Sequence, residues 1–336
     1  MSSAAISGLK VSGGLSLLTL QSHGLKTLAA LIQALARRQI NLAFAAVAAS
    51  SNNRFQACLA VASAEVKRVH SLLAETVQKS RLPDFEVTPH VAAITLYPRD
   101  KSLGLAAAAV TALGEQGITP AAMGTSHSAL VAFLEVEACP GAVAALSSAL
   151  GLPPGASPAQ ARLEVVQVPR HEGGWQGETV AVYAEHPIRT YGLEAKPGYA
   201  LIRAQCALSH LGKTGSALIN NKLQQEAAFV SAQTRGDIFF IQICTREDGA
   251  IDLAAGLRWS GWAATGTFLP ASLIHLQGPH FGDRYGIAAA ALSALQRVEV
   301  APRAMAAAVH SLFLAVTPEA SGQALKGLAR EFSAPE

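Results

Sequence analysis

Charge is scarce in this chain. Its 336 residues include 26 Lys and Arg and 23 Asp and Glu, 15% together, with a formal net charge of +3. No basic stripe with interleaved aromatics occurs, so nucleic acid is not an expected partner. Cysteine is limited to Cys58, Cys139, Cys206 and Cys244, which are far apart and form no CxxC pair. Cys58 and Cys244 sit inside apolar runs, so the expectation is buried free thiols in a reducing cytosol. Long apolar runs are missing as well. The mean hydropathy is positive, +0.29, yet no stretch reaches the roughly 18 consecutive apolar residues of a spanning helix. The longest candidate, Leu103 to Leu113, runs into Gly114-Glu115-Gln116. Met1-Ser2-Ser3-Ala4-Ala5 has no basic n-region and does not read as a signal peptide. The expectation is a soluble, cytoplasmic protein without a membrane partner.

What the chain does have is apolar material, 50% of its residues, much of it alanine, and an internal repeat. Gly8-Leu9, Gly14 and Gln21 reappear as Gly192-Leu193, Gly198 and Gln205, each shifted by 184. Lys26-Thr27 and Ala30-Leu31-Ile32 reappear as Lys213-Thr214 and Ala217-Leu218-Ile219, shifted by 187. Gly104-Leu105 aligns with Gly286-Ile287, Pro120 and Met123 with Pro302 and Met305, and His127-Ser128 with His310-Ser311.

Within each half one order of elements occurs twice. Leu15 to Leu20 reads as a strand, and Leu28, Leu31, Ile32 and Leu35 as one face of a helix. Ile40 to Val47 and Phe55 to Val61 are strands around a turn at Ser50-Ser51-Asn52-Asn53. Ser63 to Gln78 is a second helix. The second pass runs from strand Val91 to Tyr97, through helix Leu105 to Glu115 and strands Ile118 to Met123 and Ala129 to Val136, to helix Pro140 to Leu150. The third comprises Tyr199 to Ala207, helix Lys213 to Gln224, Ala227 to Ala232, Ile238 to Cys244 and helix Ile251 to Arg258. The fourth comprises Ala271 to Leu276, helix Ile287 to Gln296, Val298 to Ala301, Leu312 to Val316 and helix Glu319 to Phe332. The layout predicts an α+β fold of four ferredoxin-like βαββαβ modules, a duplicated tandem pair. Their spans are 1–82, 83–154, 178–264 and 265–336, with a Pro- and Gly-rich linker at 155–177. Helices cover one sheet face, and a second sheet is expected on the other. Exposed sheet edges favour association, unless the modules satisfy one another within one chain.

Three segments carry a resemblance to a known family: Ile6-Ser7-Gly8-Leu9 before the first strand, Gln39-Ile40-Asn41-Leu42 after the first helix, and Glu115-Gln116-Gly117-Ile118-Thr119 in the second module. With the element order, they resemble the ACT domain, specifically the tandem ACT pair at the C-terminus of aspartokinases, whose second strand has a comparable Gly-Ile-Asn entry. The resemblance covers almost the whole chain apart from the linker. It implies an allosteric, amino-acid-binding protein with an effector at the loop after the first strand and at the start of the first helix, between modules. By position it implicates Gln21, His23, Lys26, Arg99, Asp100, Gly104, Gln205, His280, Asp283, Arg284 and Gly286, with Asn41 and Thr119 at the second-strand entries. Asp100 and Asp283 are the acidic candidates for a ligand ammonium. The family's Asp-x-Pro-Gly loop is absent from all four modules, and Lys26 and Lys213 replace its glycine in two of them. No aspartokinase active site is visible and no kinase domain is expected ahead of the first module.

Other chemistry finds little support in the residues. His127-Ser128 and His310-Ser311 are adjacent strand residues, which point to opposite faces and cannot readily pair as base and nucleophile. Neither HxH nor HExxH spacing occurs among His23, His210, His275 and His280, so no metal is expected. Lys213-Thr214 lacks the glycines of a phosphate loop. The sequence therefore predicts a non-catalytic regulatory protein that needs no cofactor and binds a small ligand, an amino acid, between modules. The alternative is an assembly module with degenerate sites, a homodimer or a regulatory partner of a separate aspartokinase-like enzyme. An enzyme on a ferredoxin-like scaffold comes third.

Overall fold

Strand pairing dominates the architecture. The computed structural model describes residues 6–49, 54–77, 85–98, 103–126, 128–151, 186–212, 228–259, 262–263, 268–279, 281–282 and 284–334. The first half contains β1 (Ile6–His23), α1 (Leu25–Arg37), β2 (Phe44–Ala49), β3 (Arg54–Ala62), α2 (Val66–Val77), β4 (Phe85–Pro98), α3 (Leu103–Glu115), β5 (Ala122–Thr125), β6 (Leu130–Glu135) and α4 (Cys139–Leu150). The second half contains β7 (Ile188–Arg189), β8 (Gly192–Ala207), β9 (Phe229–Arg235), β10 (Ile238–Arg246), α5 (Glu247–Trp259), β11 (Leu269–Gln277), α6 (Ile287–Arg297), β12 (Ala304–Ala308), β13 (Ser311–Val316), α7 (Ser321–Leu328) and β14 (Phe332–Ser333).

Among the described residues, all strands but β7 and β14 close into one antiparallel ring, in the order β1-β3-β2-β12-β13-β11-β8-β10-β9-β5-β6-β4. The halves meet at two seams. At one, β2 pairs with β12, with Ala48 opposite Ala304 and Phe44 opposite Ala308. At the other, β5 pairs with β9, with Ala122 opposite Gln233. Of the two alternatives at the sequence level, the edges are therefore satisfied within the chain.

Long strands serve two neighbourhoods at once. β1 pairs with β3 from Leu15 to His23 and with β4 from Ile6 to Leu20, the latter register slipping between Ser12 and Leu17. The bend coincides with left-handed backbone at Gly14 (φ 73°), and its partner strand bends at His90 (φ 56°). β8 bends likewise at Gly198 (φ 76°). Glycine reaches this region without a Cβ clash, so two of the three bends are cheap. At His90 the same bend is strained.

The helices lie outside the ring. Alternate strand residues point out to them or in to the lumen. Leu18, Leu20, Phe55 and Leu59 face out, into one core with Leu28, Ile32, Leu292 and Leu295 of α1 and α6. A second outer core joins Leu105, Leu113, Leu146, Leu253 and Leu257 to Ile202, Phe239 and Ile241. Inside, Leu17, Phe44, Cys58 and Phe133 form one apolar cluster, and Leu201, Phe229, Cys244 and Phe313 another. Phe44 meets Phe133 at 5.1 Å between ring centres and Phe229 meets Phe313 at 5.6 Å. Burying each such side chain stabilises by about 1.5–3 kcal/mol.

Several predicted boundaries move, for one main reason. The chain leaves α1, α3 and α6 through the same tight closure. The amides of Ile40, Ile118 and Val300 reach back to the carbonyls of Leu35, Leu113 and Leu295 at 3.0, 2.9 and 3.0 Å. The residue before each is left-handed: Gln39 (φ 57°), Gly117 (φ 67°) and Glu299 (φ 55°). This is a Schellman-type stop. It uses residues expected in strands, so β2 starts at Phe44 rather than Ile40, β5 at Ala122 rather than Ile118, and β12 at Ala304 rather than Val298. The last helix ends at Leu328 instead of Phe332, because Phe332 pairs in parallel with Ile188. Strands β1 and β8 start earlier than expected, at Ile6 and Gly192. The turn at 50–53, the helix at 213–224 and the linker at 155–177 lie outside the described residues.

Candidate functional site

The β2–β12 seam brings α1 beside α6, and a cleft forms where the chain enters β2. Asn41 is held there because the closure at Gln39 and Ile40 turns the chain sharply before Phe44. Its Nδ2 donates a hydrogen bond of 3.1 Å to the carbonyl of Gly282, across the halves. The opposite wall is the segment leading into α6. Gly282 fits tightly against the β12–β13 hairpin, since a Cβ there would lie 2.5 Å from the Val309 carbonyl. Val309 itself has φ 55°, a strained conformation for a β-branched residue, placed on the rim of the cleft.

Helix α6 starts at Ile287 with Gly286 as its cap, and among the described residues no side chain is seen to cap its first turn. Its leading amides and its dipole favour a negative group. Arg284, half-buried, adds a guanidinium to the lining, and Ile32, Ala36, Phe281, Ala289 and Leu312 supply an apolar floor. The cleft spans about 500 Å³ counting its open mouth, but only about 30 Å³ of it is space that water could occupy. The Asn41–Gly282 bond joins its two walls.

Of the residues expected from the sequence, Asn41, Arg284 and Gly286 come together here. His280 and Asp283, between them in the chain, lie outside the described residues, as do Arg99 and Asp100. The others do not converge on the cleft. Gln21 faces the lumen, where its amide oxygen, suitably turned, accepts from the Arg235 guanidinium at 3.0 Å. His23 and Lys26 are exposed. Gly104 is in the first turn of α3, and Thr119 lies half-buried just before β5, at the other seam. Gln205 bonds through its backbone to Ala263 and lines a cavity in the lumen. The sequence missed Val309 and Phe281. The first had no signal, since nothing in Ala308-Val309-His310 announces a left-handed turn.

All four cysteines are buried and none forms a disulfide. Burial pushes the Cys58 and Cys244 thiols up to about 12, against a weaker opposing hydrogen bond from Thr19 at Cys58. They are poor nucleophiles near neutral pH. Cys139 is also raised, by burial and then by the Glu137 charge. His310 and Ser311 lie at the β12–β13 hairpin, with Ser311 buried, while His127 is outside the described residues. No group of three metal-ligating side chains occurs among the described residues. No helix among them is long and apolar enough to cross a membrane.

No protein-family model matches the sequence, and no curated protein matches it. The fold does find counterparts. An aspartate kinase from Synechocystis matches 99% of this chain with a TM-score of 0.77 and 15% identity. The regulatory subunit of aspartate kinase from Thermus thermophilus matches 43% of this chain and 98% of its own, at 17% identity and a TM-score of 0.40. Aspartokinase III of E. coli, solved with lysine and aspartate, matches 44% of this chain and 34% of its own, at 22% identity and a TM-score of 0.33. The last two scores are too low to carry an argument. The first corrects the expectation of a non-enzyme, because the counterpart along nearly the whole chain is an enzyme. The chain has the fold of 58% of the length of that aspartate kinase.

Proposed function

We propose that this chain is a regulatory, ligand-binding unit of an aspartate-kinase-type enzyme, and that its ligand is a free amino acid taken into the cleft at the β2–β12 seam. The observation that carries the reading is the Asn41–Gly282 hydrogen bond, a side-chain clasp joining the two halves over an uncapped helix start. A ligand carboxylate would sit on the α6 amides with Arg284 beside it. The Asn41 amide would exchange Gly282 for the ligand, opening the narrow cleft as it does so. Asp283 is the proposed partner of the ligand ammonium.

This reading includes a duplicated, four-module chain with module limits near 1–82, 83–154, 178–264 and 265–336. Its support is repetition of geometry: bends at 14, 90 and 198, helix stops at 39, 117 and 299, and two seams that each pair one module of one half with one of the other. Four cysteines without a disulfide fit a reducing, cytoplasmic setting.

The test is a thermal-shift and calorimetry panel of the common amino acids. One of them should raise the melting temperature by several degrees, since a ligand at 100 times its dissociation constant adds about 2.7 kcal/mol. Asn41→Ala should weaken that ligand at least tenfold, because a hydrogen bond to a charged group is worth about 1.5–3 kcal/mol. A panel with no response, or a response untouched by Asn41→Ala, would refute the assignment.

A further inference from the structure

The lumen of the ring changes character along its length. On β8, Leu201 belongs to an inner apolar cluster, and the same face then carries Arg203 and Gln205. On β9, Phe229 is followed on its face by Ser231 and Gln233. On β10, Gln242 shares the face of Cys244, and on β3, Gln56 shares that of Cys58. The strand period of two puts all of these inside. They line a part-open cavity of about 470 Å³, walled on the β2 side by Ala46 and Ala48, whose methyl groups leave the space unfilled. That volume is in the range of small-molecule sites.

The cavity is only partly satisfied as it stands: Gln233 Nε2 donates to Gln56 Oε1 at 3.3 Å, an exchange that a ligand would replace. Arg203 Nη2 donates to the Arg303 carbonyl at 2.8 Å. Arg203 Nε and Gln242 Oε1 are buried without a partner. Burial, and next the nearby Arg303 charge, hold the Arg203 guanidinium below its ordinary pKa. Arg303 is itself bound to the Pro270 carbonyl at 2.6 Å. Among the described residues, no carboxylate forms an ion pair with either arginine. Two half-buried guanidinium groups of like charge stand without a carboxylate partner among the described residues, and such a site is stabilised by an anion.

We propose that this cavity binds a small organic anion, its acid group seated on Arg203 and its remaining polar atoms held by the amides of Gln56, Gln205, Gln233 and Gln242. It lies in the lumen, whereas the amino-acid cleft lies on the helix side, so the two are separate sites. Adding citrate or inorganic phosphate to the full chain, against sodium chloride of equal ionic strength, tests it. Citrate should raise the melting temperature by several degrees more than chloride. A matching response to phosphate would assign the site to oxyanions in general, and a response to citrate alone would assign it to carboxylates.

Arg203→Gln should weaken citrate at least tenfold, while its melting temperature without anion stays at or above that of the unsubstituted chain. Gln242→Leu should weaken citrate several-fold, and Asn41→Ala should leave it unchanged. Neither anion exceeding chloride would overturn the proposal, as would citrate affinity unchanged in Arg203→Gln or lost in Asn41→Ala. If Arg203→Gln does not fold, unchanged affinity in Gln242→Leu overturns it alone.

Discussion

Replacing Gly114 by alanine sets two well-known effects against each other. Gly114 is the penultimate residue of α3, and alanine is the better helix former by about 0.8–1 kcal/mol. Propensity alone predicts a small gain. The tertiary contact predicts the opposite. A Cβ on Gly114 would lie 2.4 Å from the Gly212 nitrogen, 2.7 Å from its Cα and 2.8 Å from the Leu211 carbonyl carbon. Carbon atoms rest at about 3.5–4.0 Å, and all three atoms are backbone, so no side chain can swing aside. The two halves would have to separate locally by about 1 Å, an overpacking cost of about 1–3 kcal/mol or somewhat more. The net expectation is a loss of about 2 kcal/mol, which lowers the melting temperature by about 3 °C in a chain of this size. Gly322→Ala is the control: it is also helical, and its Cβ would meet nothing within 4 Å. That variant should be neutral or gain a few tenths of a kcal/mol. Scanning calorimetry of both proteins is the assay. Gly114→Ala melting at or above the unsubstituted chain would show that the halves do not approach here as described.

Three further expectations concern the ring and its helix stops. Below about pH 9 the Cys58 and Cys244 thiols are protonated in both folded and unfolded chains, and their contribution is fully present; it is lost as pH rises from there toward about 12. The slope amounts to about 1.4 kcal/mol per pH unit for each thiol, so denaturant melts at pH 8 and pH 10 should differ less in Cys58→Ala and Cys244→Ala than in the parent. Gln39→Gly and Glu299→Gly relieve left-handed strain of about 1–2 kcal/mol against the greater unfolded entropy of glycine, and each should raise stability by about 0.5 kcal/mol in urea titrations. Phe44→Ala removes a fully buried ring from the lumen and should cost about 3–5 kcal/mol in the same assay, with little effect on far-UV circular dichroism at low denaturant.

Element type was readable where periodicity was strong and local. The 3-4-7 spacing from Leu28 to Leu35 gave α1, and the apolar runs gave the strands that cross the ring. Boundaries failed where one chemistry imitates another. Ile40, Ile118 and Val300 are β-branched and read as strand residues, but the amide of each closes a helix end. Only Gly117 gave a residue-level hint, because Gln39 and Glu299 adopt the same left-handed turn without glycine. The cleft was half legible. Asn41 was implied by the family resemblance, as the residue at a second-strand entry, and Gly286 by its place at the glycine of the family's loop. The clasp between Asn41 and Gly282 was not, because it joins residues from the two ends of the chain through a seam made of alanines. The alanine pairs Ala48–Ala304 and Ala46–Ala306 leave no size or charge signature in the sequence. Arg203 and Gln242 disguised themselves differently: polar residues inside strands read as the wet face of a sheet, whereas here they point into an enclosed lumen.

A ring sealed by pairing β2 with β12 imposes an order on synthesis. When the first half leaves the ribosome, β2 and β5 are paired on one side only, by β3 and β6, and the strands that cover their other edges are still to be made. Until β9 and then β12 emerge, two open edges, one of them the alanine-rich Phe44–Ala49, can template onto any extended chain. The pairings that remove this hazard are among the longest-range contacts in the molecule, so they form late and slowly. The same geometry makes the two halves natural complements: when they are made as separate chains, each presents the edges that the other lacks.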